Sequence, residues 1–348
     1  MANTELGTNH PLTRKAWSKK LFGDALKQTY VGKFIGSSAN SLVMRKDDLK
    51  KDRGDRVRMG LRVQMTGDGV TGDSTLEGNE ESLVTYYDDL LIDQSRHAHR
   101  TAGRMTEQRA VYDIREEAKD ALADWFQEKF DSSFFNAICG NTGAATGNTT
   151  GHNATVAPTS TRWSFSDGTH TTEASLSTTD YFQLTYIDRA LAGIKVASPT
   201  IRPIKYKGSE YYVAFMHPYT VHRLRTDATA ARVTWYDVQK SLIQGGDGES
   251  NGIFTGALGI YNNVIMHEST RVPAVTSNVR RTVICGAQAA TLAFGNANDG
   301  LTADFVEKKF DYENQVGIAG SIIWGLKKSV FNSTDYATWV ISTRDAAP

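Results

Sequence analysis

Residues 63–86 read VQMTGDGVTGDSTLEGNEESLVTY, and the choice of fold turns on how that stretch is taken. Gly67, Gly69 and Gly72 have the G-x-G-x-x-G spacing of a dinucleotide-binding turn, and the residues before them are β-like. Such a site needs the third glycine to open a helix, because free N–H groups at the helix N-terminus hold the pyrophosphate. Here Gly72 is followed by DSTLEGNEES, with another glycine and no apolar stripe, and then by an alternating run. The acids of this segment would also repel a pyrophosphate. The element therefore reads as strand, glycine-rich turn, strand, and a nucleotide-dependent oxidoreductase is only a remote alternative. An EF-hand fails as well: with Asp68 as first ligand, Val70 and Gly72 fall at ligand positions and offer no side-chain oxygen.

Working outward, 57–66 (VRMGLRVQMT) and 82–92 (SLVTYYDDLLI) flank the turn. The second run continues through DQSRHAHR to Gly103, which predicts a long two-stranded arm. Ten residues of strand reach roughly 33 Å, and an isolated ribbon of that length needs a surface to lie on. From Val63 to Ser95 there are eight acids (Asp68, Asp73, Glu77, Glu80, Glu81, Asp88, Asp89, Asp93) and no Lys or Arg. Met1 to Arg58 holds thirteen Lys and Arg against six acids. Such blocks are solvated faces or, in a chain that packs against copies of itself, complementary patches. In the second case Asp68, Asp73, Glu77, Glu80 and Glu81 seek a basic neighbour. Arg96, Arg100 and Arg104, with Trp17, Lys19 and Lys20 of the N-terminal segment, are the candidate acceptors.

Residues 12–30 read as a basic amphipathic helix, with Trp17, Leu21 and Ala25 on one stripe and Leu12, Phe22, Leu26 and Tyr30 on a second. The strongest helix signal is 105–140, where Val111, Ile114, Ala118, Ala121, Leu122, Trp125, Phe126, Phe134 and Ile138 keep the three-and-four spacing. Thr106 is a candidate N-cap and Gly140 a stop, so a rod of about 45 Å should form the spine of the molecule. Residues 141–180 are rich in Gly, Thr, Ser and Asn and read as a long surface loop; Asn148 and Asn153 match the glycosylation sequon. Beyond 181 the chain is mixed. It has a helix from near Thr178, a hairpin turning at Lys207-Gly208-Ser209, and short helices at PYTVHRLRTD and TWYDVQKSLIQGG. Strands follow at ALGIYNNVIMHE, RTVICG, ADFVEKKFDYENQVGIAGSIIWGLKKSVF and YATWVIST.

No catalytic constellation emerges. There is no G-x-S-x-G, Walker A or H-E-x-x-H motif, and the pairs Asp88-Asp89 and Glu116-Glu117 are sequence neighbours whose side chains diverge. His97 and His99, and His217 and His222, lack a third metal ligand at a recognisable spacing. Cys139 and Cys285 have no Cys/His partner nearby and read as buried small hydrophobes. Net charge is zero, no apolar run is long enough to span a membrane, and the polar N-terminus lacks a signal-peptide core. A cytosol is thus the expected place of synthesis, and neither metal nor cofactor is expected.

The stretches KAWSKKLFGDALKQTYVGKFIG (15–36), GDGVTGDSTLEGNEESL (67–83), LLIDQSRHAHR (90–100) and MTEQRAVYDIREEAKDALADWF (105–126) resemble the major capsid proteins of N-four-like podoviruses, tailed bacteriophages with the Hong Kong 97 fold. The resemblance is strongest over about residues 10–140; beyond that it rests on element order and fragments such as FMHP and GIYNNVIMHE. It implies an α+β fold in five parts. These are an N-terminal arm at 1–56, an extended β-hairpin E-loop at 57–104 and a peripheral (P) domain at 105–200, followed by an axial (A) domain at 201–302 and a return to the P-domain sheet at 303–348. Within the P domain the spine helix takes 105–140 and the Thr/Gly-rich loop 141–180.

The function implied is non-enzymatic: self-assembly into the hexamers and pentamers of an icosahedral head enclosing double-stranded DNA. The chain would be part of the virion, assembled in the host bacterial cytoplasm. Scaffolding, portal or decoration proteins are its further candidate partners, packaged DNA is bound non-specifically, and no membrane is involved. An encapsulin-like compartment shell of the same fold is the alternative.

Overall fold

A computed structural model describes residues 29–50, 54–110, 113–145, 149–166, 168–226, 257–276, 278–296 and 303–347. The expected spine is two helices rather than one: α1 (Arg104–Arg109) and α2 (Ile114–Cys139). Ala110 is extended, and the N-cap of α2 is Asp113, not Thr106. The Asp113 carboxylate accepts a hydrogen bond from Arg115 N at 2.9 Å, satisfying a donor that the first turn leaves free. Twenty-six residues at 1.5 Å rise make a rod of about 39 Å. Gly140 stops it as expected, in the left-handed region at φ 63°, where a Cβ would lie 2.8 Å from the Val156 carbonyl oxygen.

The strands come in chain order. β1 (Ile35–Gly36) and β2 (Val43–Lys46) lie in the N-terminal segment. The ribbon is β3 (Arg56–Arg62) with β4 (Thr85–Leu91), and β5 (Asp93–Arg100) follows at once. After α2 come β6 (Trp163–Phe165), helix α3 (Leu184–Val196), the hairpin β7 (Ile204–Tyr206) and β8 (Ser209–Met216), and helix α4 (Pro218–Thr226). The remainder is β9 (Ala257–Tyr261), β10 (Val264–Glu268), β11 (Ala274–Thr276), β12 (Val279–Cys285) and β13 (Ala290–Phe294). β14 (Ala303–Phe310), β15 (Gln315–Lys328), the short pair β16 (Val330–Phe331) and β17 (Thr334–Asp335), and β18 (Thr338–Arg344) complete it.

One sheet runs β1-β2-β13-β15-β14, with β5 also on β15; the other runs β6-β18-β12-β8-β10-β9, with β7 on β8 and β11 on β12. Two hairpin turns follow from their residues. Lys207 (φ 45°) with Gly208 (φ 84°), and Asn262 (φ 45°) with Asn263 (φ 63°), take the positive φ values that a two-residue turn between twisted strands demands.

Several expectations are revised. The run 82–103 is not one strand of a long ribbon: β4 ends at Leu91, and β5 crosses to β15, pairing Asp93↔Trp324 through Arg100↔Gly317. The Thr/Gly-rich segment is not a loose surface loop. It contributes β6 to the eight-stranded sheet, parallel to β18, and the buried Lys328 ammonium ties it down by donating to the carbonyls of Val156 (3.2 Å) and Ala157 (3.4 Å) while pairing with Asp335. Burial pulls the Lys328 ammonium below its ordinary value, and the Asp335 carboxylate opposes that. The helix expected from Thr178 starts at Leu184, because Asp180 accepts from Ser177 N and Oγ and from Ser166 Oγ in a turn of its own. The last part of the chain divides between the sheets, β14 and β15 in one and β18 in the other, and β13 sits beside β15. The helices read at 12–30 and at TWYDVQKSLIQGG fall outside the described residues, apart from Thr29 and Tyr30.

α2 holds these pieces together. Its first half is amphipathic, and Ala118, Leu122 and Ala123 pack on Phe305 and Ile318. From Ser133 to Gly140 the chain is buried on every side, as expected of a helix that runs through a core. Phe130 stacks on Trp324 of β15 at 5.0 Å, while Phe134 and Phe135 meet Phe215 of β8 edge-on at 5.8 and 5.5 Å. Arg281 of β12 donates to the carbonyls of Cys139 (2.9 Å) and Gly140 (2.6 Å), placing a cation at the negative end of the helix. Glu173 balances that charge, accepting from Arg281 Nε at 2.7 Å. Phe134→Ala should cost about 3–5 kcal/mol in denaturant unfolding, whereas Ala121→Ser on the exposed face of the same helix should stay within about 0.5 kcal/mol.

Candidate functional site: the exposed arm and its root

β3 and β4 pair antiparallel from Arg56↔Leu91 to Arg62↔Thr85. Alternation sorts their side chains. Val57, Leu90 and Ala293 form a small buried cluster beneath the ribbon, with Leu49, Met59 and Ile92 against it. On the outer face Arg58 sits directly opposite Asp89 and grips it with two hydrogen bonds, 2.8 and 2.9 Å, while Arg56 adds a third at 3.1 Å. These bonds to arginine hold the Asp89 carboxyl below the usual carboxylate range.

The root of the arm is fastened by buried polar groups. Asp88 takes the Lys327 ammonium on one oxygen and Val330 N–H on the other, at 3.2 Å. Asn153 clasps the backbone of Leu91 from both sides: its Oδ1 accepts Leu91 N–H at 3.1 Å and its Nδ2 donates to the Leu91 carbonyl at 2.6 Å. The same amide donates to Thr150 Oγ1 at 3.0 Å, and that hydroxyl bonds both the N–H and the carbonyl of Leu326. Gly325 leaves room for this approach, since a Cβ there would stand 2.0 Å from the Leu91 carbonyl oxygen. Asn153 is thus a buried structural amide rather than a glycan acceptor; Asn148 falls outside the described residues.

Beyond the root the arm is open to solvent. Residues 71–85 are exposed without exception, and Met65 (54%), Leu76 (60%), Leu83 (58%) and Val84 (44%) leave large apolar surface in water. Gly69 and Gly72 turn with φ near +67° and no helix follows Gly72, so the dinucleotide reading is discarded on structural grounds. Glu81 closes the neck of the loop, accepting from Thr66 N–H (2.9 Å) and Gly67 N–H (2.8 Å), and these bonds lower its pKa.

The structure divides the expected contact residues. Asp68, Asp73 and Glu77 are exposed and make no ion pair among the described residues, whereas Glu81 and, through Gly78 N–H (2.8 Å), Glu80 are engaged within the arm. Arg96 and Arg100 lie on β5, in the other sheet, and Arg104 opens α1. Arg100 reaches Gln315 and lies over the Phe310 ring at 4.4 Å; Arg104 N–H donates to Asn314 Oδ1 at 3.3 Å. Trp17, Lys19 and Lys20 fall outside the described residues.

His97 and His99 both lie on β5 and line one hollow against α2, while His217 and His222 belong to the α4 region. His97 stacks on Trp125 of α2 at 4.6 Å, and His217 Nδ1 accepts Tyr219 N–H, its pKa pushed down to about 4 by burial and by nearby Arg280. Among the described residues no cluster of three metal-ligating side chains forms. Burial pushes the Cys139 thiol up to about 12, in keeping with a packing role. Sequence reasoning missed Asp88 as a buried anchor, together with Thr150, Asn153 and Lys327. The one signal was an Asn amid threonines, and it pointed to a sugar.

The arm is thus exposed along its distal part and fastened at its root. The phage capsid protein family matches residues 5–346. A major capsid protein of Pseudomonas phage KPP25 is 30% identical over 356 residues, covering 92% of this chain and 90% of that protein. The capsid of Ralstonia phage GP4 superposes with a TM-score of 0.81 at 31% identity, covering 100% of this chain and 99% of that one. The capsid asymmetric unit of cyanophage Pam1 shares the fold, with a TM-score of 0.73 at 22% identity over the full length of both chains. The chain belongs to the phage capsid protein family. Its function is that of a major capsid protein of a tailed phage.

Two outcomes test the arm's construction. Asn153→Ala strips Leu91 of both partners, each loss worth about 1–3 kcal/mol, so hydrogen exchange should quicken over 85–92 while the buried end of α2 keeps its protection. The lowered Glu81 pKa means that its contribution is fully present above the unfolded carboxylate pKa, about 4.3, and is lost as pH falls through the lower folded value. A carboxyl ¹³C titration of Glu81 should therefore show its midpoint below that of an ordinary glutamate; a midpoint at or above it counts against the neck contact.

Proposed function

We propose that this chain is the shell subunit of an icosahedral head with the Hong Kong 97-like fold, of the kind found in N-four-like podoviruses. It assembles into hexamers and pentamers around double-stranded DNA. In this reading the N-terminal segment is the N-arm, the ribbon with its distal loop is the E-loop, α2 is the spine of the P domain, and residues 201–302 make the A domain. The observation that carries it is the distal arm, 63–84, whose apolar side chains and acids stand in solvent on an anchored root. A shell subunit gains contact area with its neighbours from such arms without a larger core. The basic N-terminal segment faces packaged phosphates, and scaffolding, portal and decoration proteins are its further partners. The chain acts without catalysis, in the virion, after assembly in the host cytoplasm.

Expression of the full chain followed by negative-stain electron microscopy should show shells, capsomers or tubes; a species that stays monomeric under every assembly condition overturns the reading. Replacing Asp68, Asp73, Glu77 and Glu80 together with lysine should leave circular dichroism and the melting midpoint intact and impair assembly. Normal, equally stable shells from that variant would refute the electrostatic role of the arm.

A further inference from the structure

β5 is an edge. It bonds β15 along one side, and among the described residues no strand lies on the other. Thr101 N–H donates to Val316 O at 2.9 Å, and antiparallel ladders alternate, so Thr101, His99, His97 and Ser95 turn their backbone groups toward β15. Arg96, Ala98 and Arg100 consequently turn theirs outward, and all three residues are exposed. An open row of N–H and C=O groups is a template for another strand.

The charges on this edge select what it admits. A second β5 laid alongside would bring arginine against arginine, which disfavours self-pairing. β14, which also lies at an edge of the sheet, mixes signs in Asp304, Glu307, Lys308 and Lys309, and the edge strand β1 is two residues long. The distal arm has the complementary character. It is extended and acidic without a single base, and among the described residues Val63 N–H to Val84 O (3.0 Å) is its one rung beyond the ribbon. Within it, 79–84 (NEESLV) suits a strand better than 63–69, which holds glycines at 67 and 69.

We propose that the outer edge of β5 receives the arm of a second copy as an added strand, with 79–84 lying along 96–100 and the arm's acids against the arginines. This rests on the reading of the chain as a shell subunit and names the surface that its arm occupies. Strand addition supplies affinity through main-chain bonds, and the opposed charges exclude the wrong segment.

Cysteines at the two surfaces give a direct test. A chain carrying Ala98→Cys and Ser82→Cys, assembled and mildly oxidised, should yield chains disulfide-linked between copies on a non-reducing gel; Cys139 and Cys285 are buried and do not compete. Ala98→Pro removes an outward N–H and places its ring where the added strand would lie, leaving the β15 ladder intact. It should raise the chain concentration needed for assembly by at least about tenfold, the equivalent of one lost hydrogen bond. Circular dichroism reports whether that variant folds. If it does not, Arg96→Glu carries the test: assembly should weaken, and Glu80→Lys in the same chain should restore it. If the wild-type chain forms shells, absence of the cross-link from shells of the double-cysteine chain, or unimpaired assembly of a folded Ala98→Pro or Arg96→Glu chain, overturns the strand addition and leaves shell formation standing. If the wild-type chain builds no shell at all, the underlying reading fails and the proposal falls with it.

Discussion

Burial of the last turns of α2 between two sheets is the constraint on which the rest of this molecule depends. A helix hydrophobic all round has no stable place at a surface, so Phe130, Phe134 and Phe135 must find partners on several sides. They find Trp324 on one sheet and Phe215 on the other. Asp131 on the same helix accepts the backbone N–H groups of Tyr30 (3.1 Å) and Val31 (3.2 Å), which fixes where the N-terminal segment enters the body. With both sheets and the N-terminal entry held by one rod, β15 has a fixed position, and β15 carries β5, β13 and β14.

The arm inherits its rigidity from that arrangement. Its ion pairs differ in kind. Arg58 and Asp89 are solvent-facing, and pairs of that sort are screened by salt and contribute little to stability. Asp88 and Lys327 are largely enclosed, and removing one partner of such a pair costs about 3–5 kcal/mol because the other is left uncompensated. The enclosed pair and the Asn153 amide therefore hold the root, while the outer arginines link the two strands across the exposed face. Within the loop that Glu81 closes, no such enclosed pair forms among the described residues, and the loop is left to be shaped by what it touches.

Local signals sufficed for several local elements: the period of α2 and its glycine stop, the hairpin turn at Lys207-Gly208, the glycine-rich turn between strands around 63–86, and the concentration of acid on it. The run ALGIYNNVIMHE, read as one strand, instead breaks at Asn262-Asn263 into β9 and β10. The sequence also made the dinucleotide turn a remote alternative, since a helix after Gly72 would have required a pattern that is absent. Which strands pair was settled by contacts between distant parts of the chain. β5 looks like a continuation of β4, and it leaves the ribbon to form an eight-residue ladder with β15, more than two hundred residues away, where Trp324 Nε1 also donates to Ser95 Oγ. Likewise the bonds that fasten the arm join Asp88 to Lys327 across 239 residues and Leu91 to Asn153 across 62. Periodicity reports which face of an element is apolar, but it carries no information about the partner. A buried amide or carboxylate looks the same in sequence as an exposed one until the fold supplies its neighbours.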